Sequence, residues 1–570
     1  MEESGGGEPA CLFPFPHPRT PAPHPRTPAP IPSPRNPMPD SDQHLWWQEG
    51  VVYQVYPRSF QDTDGDGVGD LDGIRRRLDY LEWLGVDAVW VSPIFPSPMA
   101  DFGYDVADYC GIHPLFGTME DFDRLLDEAH ERGLKLLLDL VPNHTSEQHP
   151  WFEESRSSRD NPKRDWYLWE DPRPDGGPPN NWLSVFGGPA WEFDEATGQY
   201  YYHAFLKEQP DLNWRNPAVR EAMYDAMRFW FDKGVDGFRI DVLWHLIKDD
   251  QLRDNPKNPD FDPDELPYRS LIPAYTTDQP EVHEIVREMR EVADAYAEQG
   301  ERVLVGEIYL PIEELVAYYG QEGEGAHLPF NFHLITLPWD ARAIDRAINE
   351  YEGALPEGAW PNWVLGNHDK SRIASRVGPE QAAVAAVLLL TLRGTPTLYY
   401  GDELGLPDVE VPVEQMQDPQ GTRQSPQFSR DPHRTPMQWD ASAGAGFTDA
   451  DPWLPFSDDA ETRNVEVQRE DEDSPLTLHR RLLALRRERR ALAVGDYRPL
   501  VTEGSAIAYV REHGDDRILV ALNLGGRPQD VDLGEREGTV LLATPRTREG
   551  ERVGGGLTLR ANEAIVVDLE

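Results

Sequence analysis

From residue 44 onward, short apolar runs alternate with longer amphipathic stretches. Short, continuous apolar runs of this kind are typical of buried parallel strands. Eight of them are predicted strands: Val51–Tyr56, Ala88–Val91, Leu134–Leu140, Gly237–Asp241, Val303–Glu307, Pro329–Phe332, Trp363–Leu365 and Thr397–Tyr400. Helical spacing of apolar positions predicts helices over 72–84, 118–132, 217–233 and 281–298. Eight strand–helix repeats predict an α/β fold, a (β/α)8 TIM barrel, over 44–493.

Two long segments interrupt this alternation. The first, about 143–208, is rich in Trp, Gly and Pro and predicts a small subdomain inserted after the third strand. The second, about 403–473, follows the eighth strand. After a basic helix predicted over 476–490, short alternating strands with turns predict a C-terminal antiparallel β-sandwich over 494–570.

Residues 1–43 are Pro-rich and repeat HPRTPAP in tandem, which predicts a disordered tail without a role in the chemistry. We expect no secretory signal, because the Pro-rich N-terminus lacks an apolar h-region. We expect no transmembrane helix, because no window approaches ~18 consecutive apolar residues. Two cysteines predict a reducing, cytoplasmic location without a disulfide framework. The formal net charge of −48 argues against nucleic acid and membrane as partners.

Polar residues cluster where predicted strands end. The sequence places them after strand three, on strand four, on strand five and after strand seven: Asn143 and His144, Arg239 and Asp241, Glu307, and His368 and Asp369. Because the carboxyl ends of barrel strands meet at one mouth, we expect these side chains to converge there. One carboxylate could be a helix cap, but three carboxylates beside Arg and His are poorly explained by capping.

Such a set suits glycoside cleavage with retention. That reaction needs one carboxylate to attack the anomeric carbon and another, ~5–5.5 Å away, to protonate the leaving oxygen. A neighbouring carboxylate raises the pKa of the acid. Arg239 lies two residues before Asp241 on the same strand face, and we expect it to keep that carboxylate ionised.

Four segments resemble the signature segments of the α-amylase superfamily, glycoside hydrolase family 13: DLVPNH at 139–144, GFRIDV at 237–242, GEIY at 306–309 and GNHD at 366–369. QPDLNW at 209–214 is similar to the fifth segment of its α-glucosidase and oligo-1,6-glucosidase branch. The resemblance covers about 44–570. It implies a barrel with a domain B inserted after strand three, a C-terminal β domain, and hydrolysis with retention.

The resemblance also implies roles for individual residues. Asp241 would be the nucleophile, Glu307 the general acid/base, and Asp369 the carboxylate that distorts and holds the sugar. The residues implied to bind the first glucose, by its hydroxyls or by stacking beneath its ring, are Arg239, His144, His368 and Tyr104.

ADFGYD at 100–105 and HRTPMQWD at 433–440 resemble segments of exo-acting members. Asp101 and Arg434 would then form a pair that closes the pocket against the terminal 4-hydroxyl. Phe186 and Phe205 match aromatic residues that wall the same pocket, although either could instead be a core residue of the inserted subdomain.

DTDGDGVGD at 62–70 predicts a structural Ca²⁺ site. Loop positions 1, 3, 5, 7 and 9, of which the seventh offers its carbonyl, are Asp62, Asp64, Asp66, Val68 and Asp70. Gly67 is at the sixth position, where the turn needs glycine. Gly73 replaces the twelfth-position Glu of an EF-hand, so other ligands must be waters or other groups; a plain acidic turn is the alternative.

We therefore predict an exo-acting α-glucosidase that removes terminal glucose from maltose-like or isomaltose-like oligosaccharides, with no organic cofactor. Among family members, a Val after the nucleophile, here Val242, is associated with cleavage of α-1,6 bonds. GEIYLP at 306–311 is instead more similar to α-1,4-acting enzymes, so the preferred linkage stays open. The sequence also leaves the oligomeric state open. A transglucosylase or isomerase, such as a trehalose synthase or sucrose isomerase, is the alternative. A non-catalytic relative like the heavy chains of amino-acid transporters would have a transmembrane helix and lost carboxylates, neither of which this sequence shows.

Overall fold

Eight parallel strands form a barrel in the computed structural model, which describes residues 44–570. Their bounds are Val52–Val55, Ala88–Val91, Lys135–Leu140, Gly237–Ile240, Val303–Ile308, Leu328–Asn331, Asn362–Val364 and Thr395–Tyr399. Each strand pairs with its sequence neighbour from the first to the sixth, and the eighth pairs with both the seventh and the first. The predicted TIM barrel is confirmed, and the predicted tail lies outside the described residues.

Side chains close the barrel between the sixth and seventh strands, where no strand ladder forms within residues 44–570. The buried Asn362 amide donates to Pro329 O at 2.6 Å and accepts from the Asn331 N–H at 2.9 Å. One side-chain amide thus satisfies backbone groups that a ladder would otherwise pair.

Helices surround the barrel, and local sequence sets their ends. Thr118 and Asp121 form a capping box before Met119–Glu131. Asn216 caps Pro217–Lys233, which ends at Gly234 with φ of 107°. The other α-helices around the barrel are Leu71–Arg76, Leu78–Leu84, Val282–Asp294, Ile312–Ala317, His333–Thr336, Ala341–Ala354, Ile373–Val377, Pro379–Thr391, Val465–Glu470 and Pro475–Glu488.

The helix predicted over 72–84 is two helices, because the backbone leaves helical geometry at Arg77 (φ −105°, ψ 7°). The Arg77 guanidinium donates to Gln61 and lies 4.0 Å from the centre of the Trp439 ring. Within residues 44–570, no helix combines the length and apolar character that crossing a bilayer requires.

The predicted insertions contain their own elements. The first holds helix Pro150–Ser157 and an antiparallel sheet of Trp169–Glu170, Gln199–Tyr202 and Trp191–Asp194. The second is mostly loop with short helical turns, and it packs on the loop after the first strand: the Met437 N–H donates to Ser59 O, and Trp439 Nε1 donates to Phe60 O. Both insertions therefore sit at the mouth where the strands end.

The C-terminal strands form one antiparallel sheet of six: Asp496–Glu503, Ala506–His513, Asp516–Asn523, Gln529–Thr544, Arg552–Leu559 and Ala564–Leu569. Buried Arg486, on the helix Pro475–Glu488 that precedes this sheet, connects that helix to the segment before the eighth barrel strand. Its guanidinium donates to the carbonyls of Gly394 and Leu492 at 2.6 and 2.9 Å. Backbone carbonyls thus solvate a cation that would otherwise be costly to bury.

Candidate active site

The fourth and fifth strands place two carboxylates opposite each other. Ile240 pairs with Gly306 in the parallel ladder. Asp241 and Glu307 are the next residues, so they face one another across neighbouring strands ~4.8 Å apart. Arg239 lies on the same face as Asp241 because side chains alternate along a strand. The convergence predicted from strand ends is present in the structure.

The buried Arg239 guanidinium connects three carboxylates. Its Nη1 donates to Asp139 Oδ1 at 2.7 Å and to Asp241 Oδ1 at 2.8 Å. Its Nη2 lies 2.7 Å from Glu307 Oε2. A single planar cation therefore fixes the positions of both carboxylates that the sequence assigns to the chemistry.

The residue directly after the predicted nucleophile, Val242, has a strained backbone conformation. Val242 has a φ of 38°, a left-handed conformation that is unfavourable for a β-branched residue. In this conformation its N–H donates to Glu307 Oε2 at 2.9 Å. The turn after Asp241 thus gives Glu307 a hydrogen-bond donor in addition to its ion pair with Arg239.

Burial dominates the electrostatics of this cluster. It raises the pKa of Asp241 well above its usual value; Arg239 opposes the shift, whereas the carboxylates of Glu307 and Asp139 add to it. Burial also raises the pKa of Asp139 to about 6, again against Arg239. Arg239 does lower the pKa of Asp241 as predicted, but it is shared by three acids and does not offset burial. Such a cluster is able to retain the proton that an acid catalyst requires.

Asp369 lies in a different environment at the end of the seventh strand. Although burial raises its pKa, His368, Arg430 and Arg434 together hold the pKa of Asp369 well below its usual value. Arg430 and Arg434 approach its Oδ1 at 3.1 and 2.9 Å. These neighbours therefore favour the ionised form of Asp369, beside a cluster whose acids have raised pKa values.

The pair predicted between Asp101 and Arg434 is wrong. Asp101 pairs with Arg430 at 2.6 Å, and Arg430 also contacts Asp418 at 2.6 Å. Arg434 instead donates to His368 O and to Asp369, behind the pocket surface. The two arginines are one helical turn apart in sequence, and the short 3-10 helix Asp431–His433 between them directs only Arg430 toward Asp101.

A pocket of about 660 Å³ opens above these carboxylates. The predicted binding residues that line it, besides Asp101, are Tyr104, His144, Phe186, Phe205 and His368. Tyr104 stacks on His368 with ring centres 5.4 Å apart and donates to Asp139. Phe186 and Phe205 meet edge to face at 6.3 Å, so both wall the pocket while packing on each other.

The opposite wall comes from parts of the chain that the sequence did not indicate. The loop between the fourth strand and its helix contributes several residues from 255 to 277, including Tyr268 and Arg269. Trp244, Tyr309 and Lys370 complete this side. This wall is close to Glu307 along the chain, since Tyr309 follows Glu307 by two residues and both line the pocket.

Other site residues also escaped prediction. Asp139 is a buried acid inside the apolar run KLLLDL, and it lies opposite Arg239 in the register of the third and fourth strands. An acid within an apolar strand was the feature of the sequence that could have indicated it. Gln209 contacts His144 at 3.0 Å, and Asp211 pairs with buried Lys248 at 2.5 Å. These contacts join segments far apart in sequence, so spacing alone does not indicate them.

The acidic loop predicted to bind calcium is compact. Asp62, Asp64 and Asp70 each offer an oxygen, and these atoms lie within 4.8 Å of one another. Asp66 lies outside this group. Burial raises the pKa of Asp66 most strongly, and charge repulsion from Asp64 and Asp62 raises it further. Three converging carboxylates fit the oxygen ligands that Ca²⁺ prefers.

With this geometry established, the comparisons with known proteins identify the family. The family description "Alpha amylase, catalytic domain" matches residues 54–495. The chain belongs to the α-amylase family and is a glycoside hydrolase.

Individual relatives agree with this assignment. The chain is 44% identical over 505 residues to a probable alpha-glucosidase of Rhizobium meliloti (strain 1021), covering 86% of this chain and 91% of that protein. It is 39% identical over 569 residues to an oligo-1,6-glucosidase of Heyndrickxia coagulans, covering 92% and 99%.

Two solved structures are similar over nearly the whole chain. The alpha-glucosyl transfer enzyme XgtA superimposes with a TM-score of 0.88 and 42% identity, covering 93% of this chain and all of that one. The trehalulose synthase MutB of Pseudomonas mesoacidophila MX-45 gives a TM-score of 0.84 and 34% identity, covering 93% and 100%.

Replacing Arg430 by Met tests the corrected pairing. We expect a loss of about 3–5 kcal/mol in the free energy of unfolding, because three buried or half-buried carboxylates would lose their shared cation. Arg269→Met is the matched control: this side chain is 49% exposed and, within the described residues, forms an ion pair with Glu265 alone, so the loss should stay below about 1 kcal/mol. Urea unfolding followed by Trp fluorescence measures both, and equal small losses would contradict the pairing.

Proposed function

We propose that this chain is a retaining, exo-acting α-glucosidase that hydrolyses terminal non-reducing α-linked glucose from short oligosaccharides. The observation that carries the proposal is the facing of Asp241 and Glu307 on adjacent strands, joined through Arg239. Facing positions on adjacent strands suit the ~5–5.5 Å separation between the carboxyl groups of retaining enzymes. The relatives named alpha-glucosidase and oligo-1,6-glucosidase support the same substrate class.

The chemistry proceeds in two displacements. The Asp241 carboxylate attacks the anomeric carbon while Glu307 gives its proton to the departing oxygen, which breaks the glycosidic bond and forms a glucosyl ester. Glu307, now a carboxylate, takes a proton from water, and the hydroxide oxygen displaces Asp241. Two inversions leave the product glucose in the α configuration. The anion of Asp369 stabilises the positive charge that develops on the ring.

The ion network around Arg430 supports exo action. Asp101, Arg430 and Asp369 fill one end of the pocket with paired charges. Arg430 also lies 5.3 Å from the centre of the Phe186 ring, so an aromatic side chain covers this end. A terminal hydroxyl can bond to such a network, whereas a continuing sugar chain has no passage through it. Release of one glucose at a time follows from this closed end.

Linkage preference stays a prediction with two opposing signals. Val242 is buried beside Glu307 and lines the pocket, where its branched side chain shapes the space for the leaving sugar. The GEIYLP segment brings Tyr309 to the same wall, stacked on Phe332 at 4.2 Å. A substrate with either linkage presents its leaving group to these two side chains, so the preferred linkage must be determined by product analysis.

Incubation with maltose, isomaltose, sucrose and trehalose, with chromatography of the products, tests the function. We expect free glucose from maltose or isomaltose, and proton NMR before mutarotation should show its α-anomer first. Asp241→Asn should reduce turnover by at least about 10⁴-fold, because the nucleophile is lost. Asp249→Asn, outside the pocket lining, is the control and should retain activity.

Two outcomes would contradict the proposal. Conversion of maltose to trehalose, or of sucrose to an isomer, with little free glucose would indicate an isomerase. Glucose appearing first as the β-anomer would exclude retention.

We propose, separately, that the acidic loop holds a structural Ca²⁺. Asp62, Asp64 and Asp70 supply the clustered oxygens, and Asp66 and the Val68 carbonyl are the further predicted ligands. The loop packs on the segment after the eighth strand, since Asp62 accepts from Thr448 and Gly67 O accepts from the Trp453 N–H. Bound Ca²⁺ would therefore stabilise the mouth of the barrel without touching the substrate.

Chelation tests this metal site. EDTA should lower the melting temperature of the wild-type enzyme, and added Ca²⁺ should restore it, because a ligand that binds only the folded state stabilises it. Asp64→Asn should weaken the response at least tenfold in Ca²⁺ concentration, whereas the exposed helix residue Asp79→Asn should leave it unchanged. A wild-type melting temperature that is insensitive to EDTA and Ca²⁺ would overturn the proposal.

Cytoplasmic location and the exclusion of nucleic acid stay predictions. Two cysteines in 570 residues and a net charge of −48 support them.

A further inference from the structure

Three Lys and Arg side chains line the pocket, and they differ in their partners. Arg430 contacts three carboxylates, and Arg269 contacts Glu265 at 3.2 Å. Among residues 44–570, Lys370 Nζ forms no hydrogen bond, and no carboxylate oxygen lies within 4.0 Å of it. This half-buried ammonium thus has three donors that the described protein does not use.

The position of Lys370 is well defined. It follows Asp369 directly, and its backbone N–H bonds to Asn367 O, which closes a tight turn after the seventh strand. Its ammonium lies 5.3 Å from the centre of the Tyr309 ring. Tyr309 is itself held by stacking on Phe332, with ring planes 12° apart. A fixed aromatic surface therefore supports the lysine at the pocket wall.

The surroundings show which side of the scissile bond Lys370 faces. Burial lowers its pKa most strongly, Asp369 opposes that effect, and Arg269 on the facing loop adds to it. The glucose end of the pocket is already filled by the Asp101–Arg430 pair. Lys370 lies against Tyr309, which follows Glu307 by two residues, so its ammonium lies on the acid's side of the pocket, where the departing sugar must be.

We infer that Lys370 determines specificity for the leaving group, by donating hydrogen bonds from Nζ to hydroxyls of the sugar bonded to the cleaved glucose. This inference rests on the proposed α-glucosidase function and names the ligand class of its second subsite: a polyhydroxylated alcohol. Hydrogen bonds from a charged donor in a partly desolvated site are stronger than neutral ones. An aryl leaving group offers no such hydroxyls and gains nothing from the ammonium.

The same contact also acts on transfer of the glucosyl group to a sugar, which is the reverse of the first displacement. A second sugar held by Lys370 over the glucosyl ester is placed to attack in competition with water. Lys370 therefore favours transfer to sugar acceptors as well as cleavage of sugar leaving groups. Both effects share one subsite, because bond formation retraces bond breaking.

Lys370→Met separates the two kinds of leaving group while keeping the length of the side chain. The substrates are p-nitrophenyl α-glucoside and whichever of maltose and isomaltose the wild type cleaves faster. We expect kcat/KM for the disaccharide to fall about 10- to 100-fold, the loss of one charged hydrogen bond. For the aryl glucoside we expect a fall of less than about threefold.

A second readout uses the aryl glucoside as donor and xylose as acceptor, because this monosaccharide offers hydroxyls to Lys370 but has no glycosidic bond that would itself release glucose. Released p-nitrophenol counts all turnovers and released glucose counts hydrolysis, so their difference gives transfer. The ratio of transfer to hydrolysis should fall about tenfold or more in Lys370→Met, and Lys370→Arg should restore part of it. Lys257→Met, which removes an exposed lysine from the facing loop outside the pocket lining, should leave both readouts unchanged.

Equal losses on both substrates, or no loss on either, would overturn the role of Lys370. Absence of hydrolysis of either substrate by the wild type would instead overturn the proposed function, and this inference with it.

Discussion

The buried guanidinium of Arg239 is the interaction on which the rest of the site depends. It is shared by Asp139, Asp241 and Glu307, which come from three neighbouring strands. Burying several like charges together is expensive unless each is paired and hydrogen-bonded. One cation for three acids leaves the cluster short of positive charge. The barrel mouth can therefore hold a proton where the chemistry needs one and still fix both carboxylates in position.

A second set of cations gives Asp369 the opposite character. Arg430 and Arg434 both contact this carboxylate, and its pKa stays low despite burial. Environments that push the pKa values of neighbouring acids apart assign them different roles. In the proposed mechanism, the cluster around Arg239 exchanges a proton, whereas Asp369 stays ionised. Arg430 extends the same charge network to Asp101, which also closes the glucose end of the pocket.

The sequence was sufficient to predict site residues where the same pattern indicates both the fold and the function. A polar residue at the end of an apolar strand marks both the strand and the site, and Asp241 and Glu307 were predicted for this reason. The choice between Arg430 and Arg434 depended on how a short 3-10 helix turns, which no periodicity reports. Closure of the barrel by the Asn362 side chain and the left-handed backbone of Val242 are likewise products of tertiary packing. Lys370 had no sequence signal beyond its place after Asp369.

The most direct test of this account is to trap the covalent intermediate. A 5-fluoro-glucosyl fluoride slows both displacements by destabilising positive charge on the ring, while its fluoride leaving group restores the first step, so that the ester accumulates. Peptide mapping by mass spectrometry after brief exposure should find the fluoroglucosyl group on Asp241. A label on Glu307 or Asp369, or turnover without any covalent adduct, would contradict the assignment of Asp241 as the nucleophile held by Arg239.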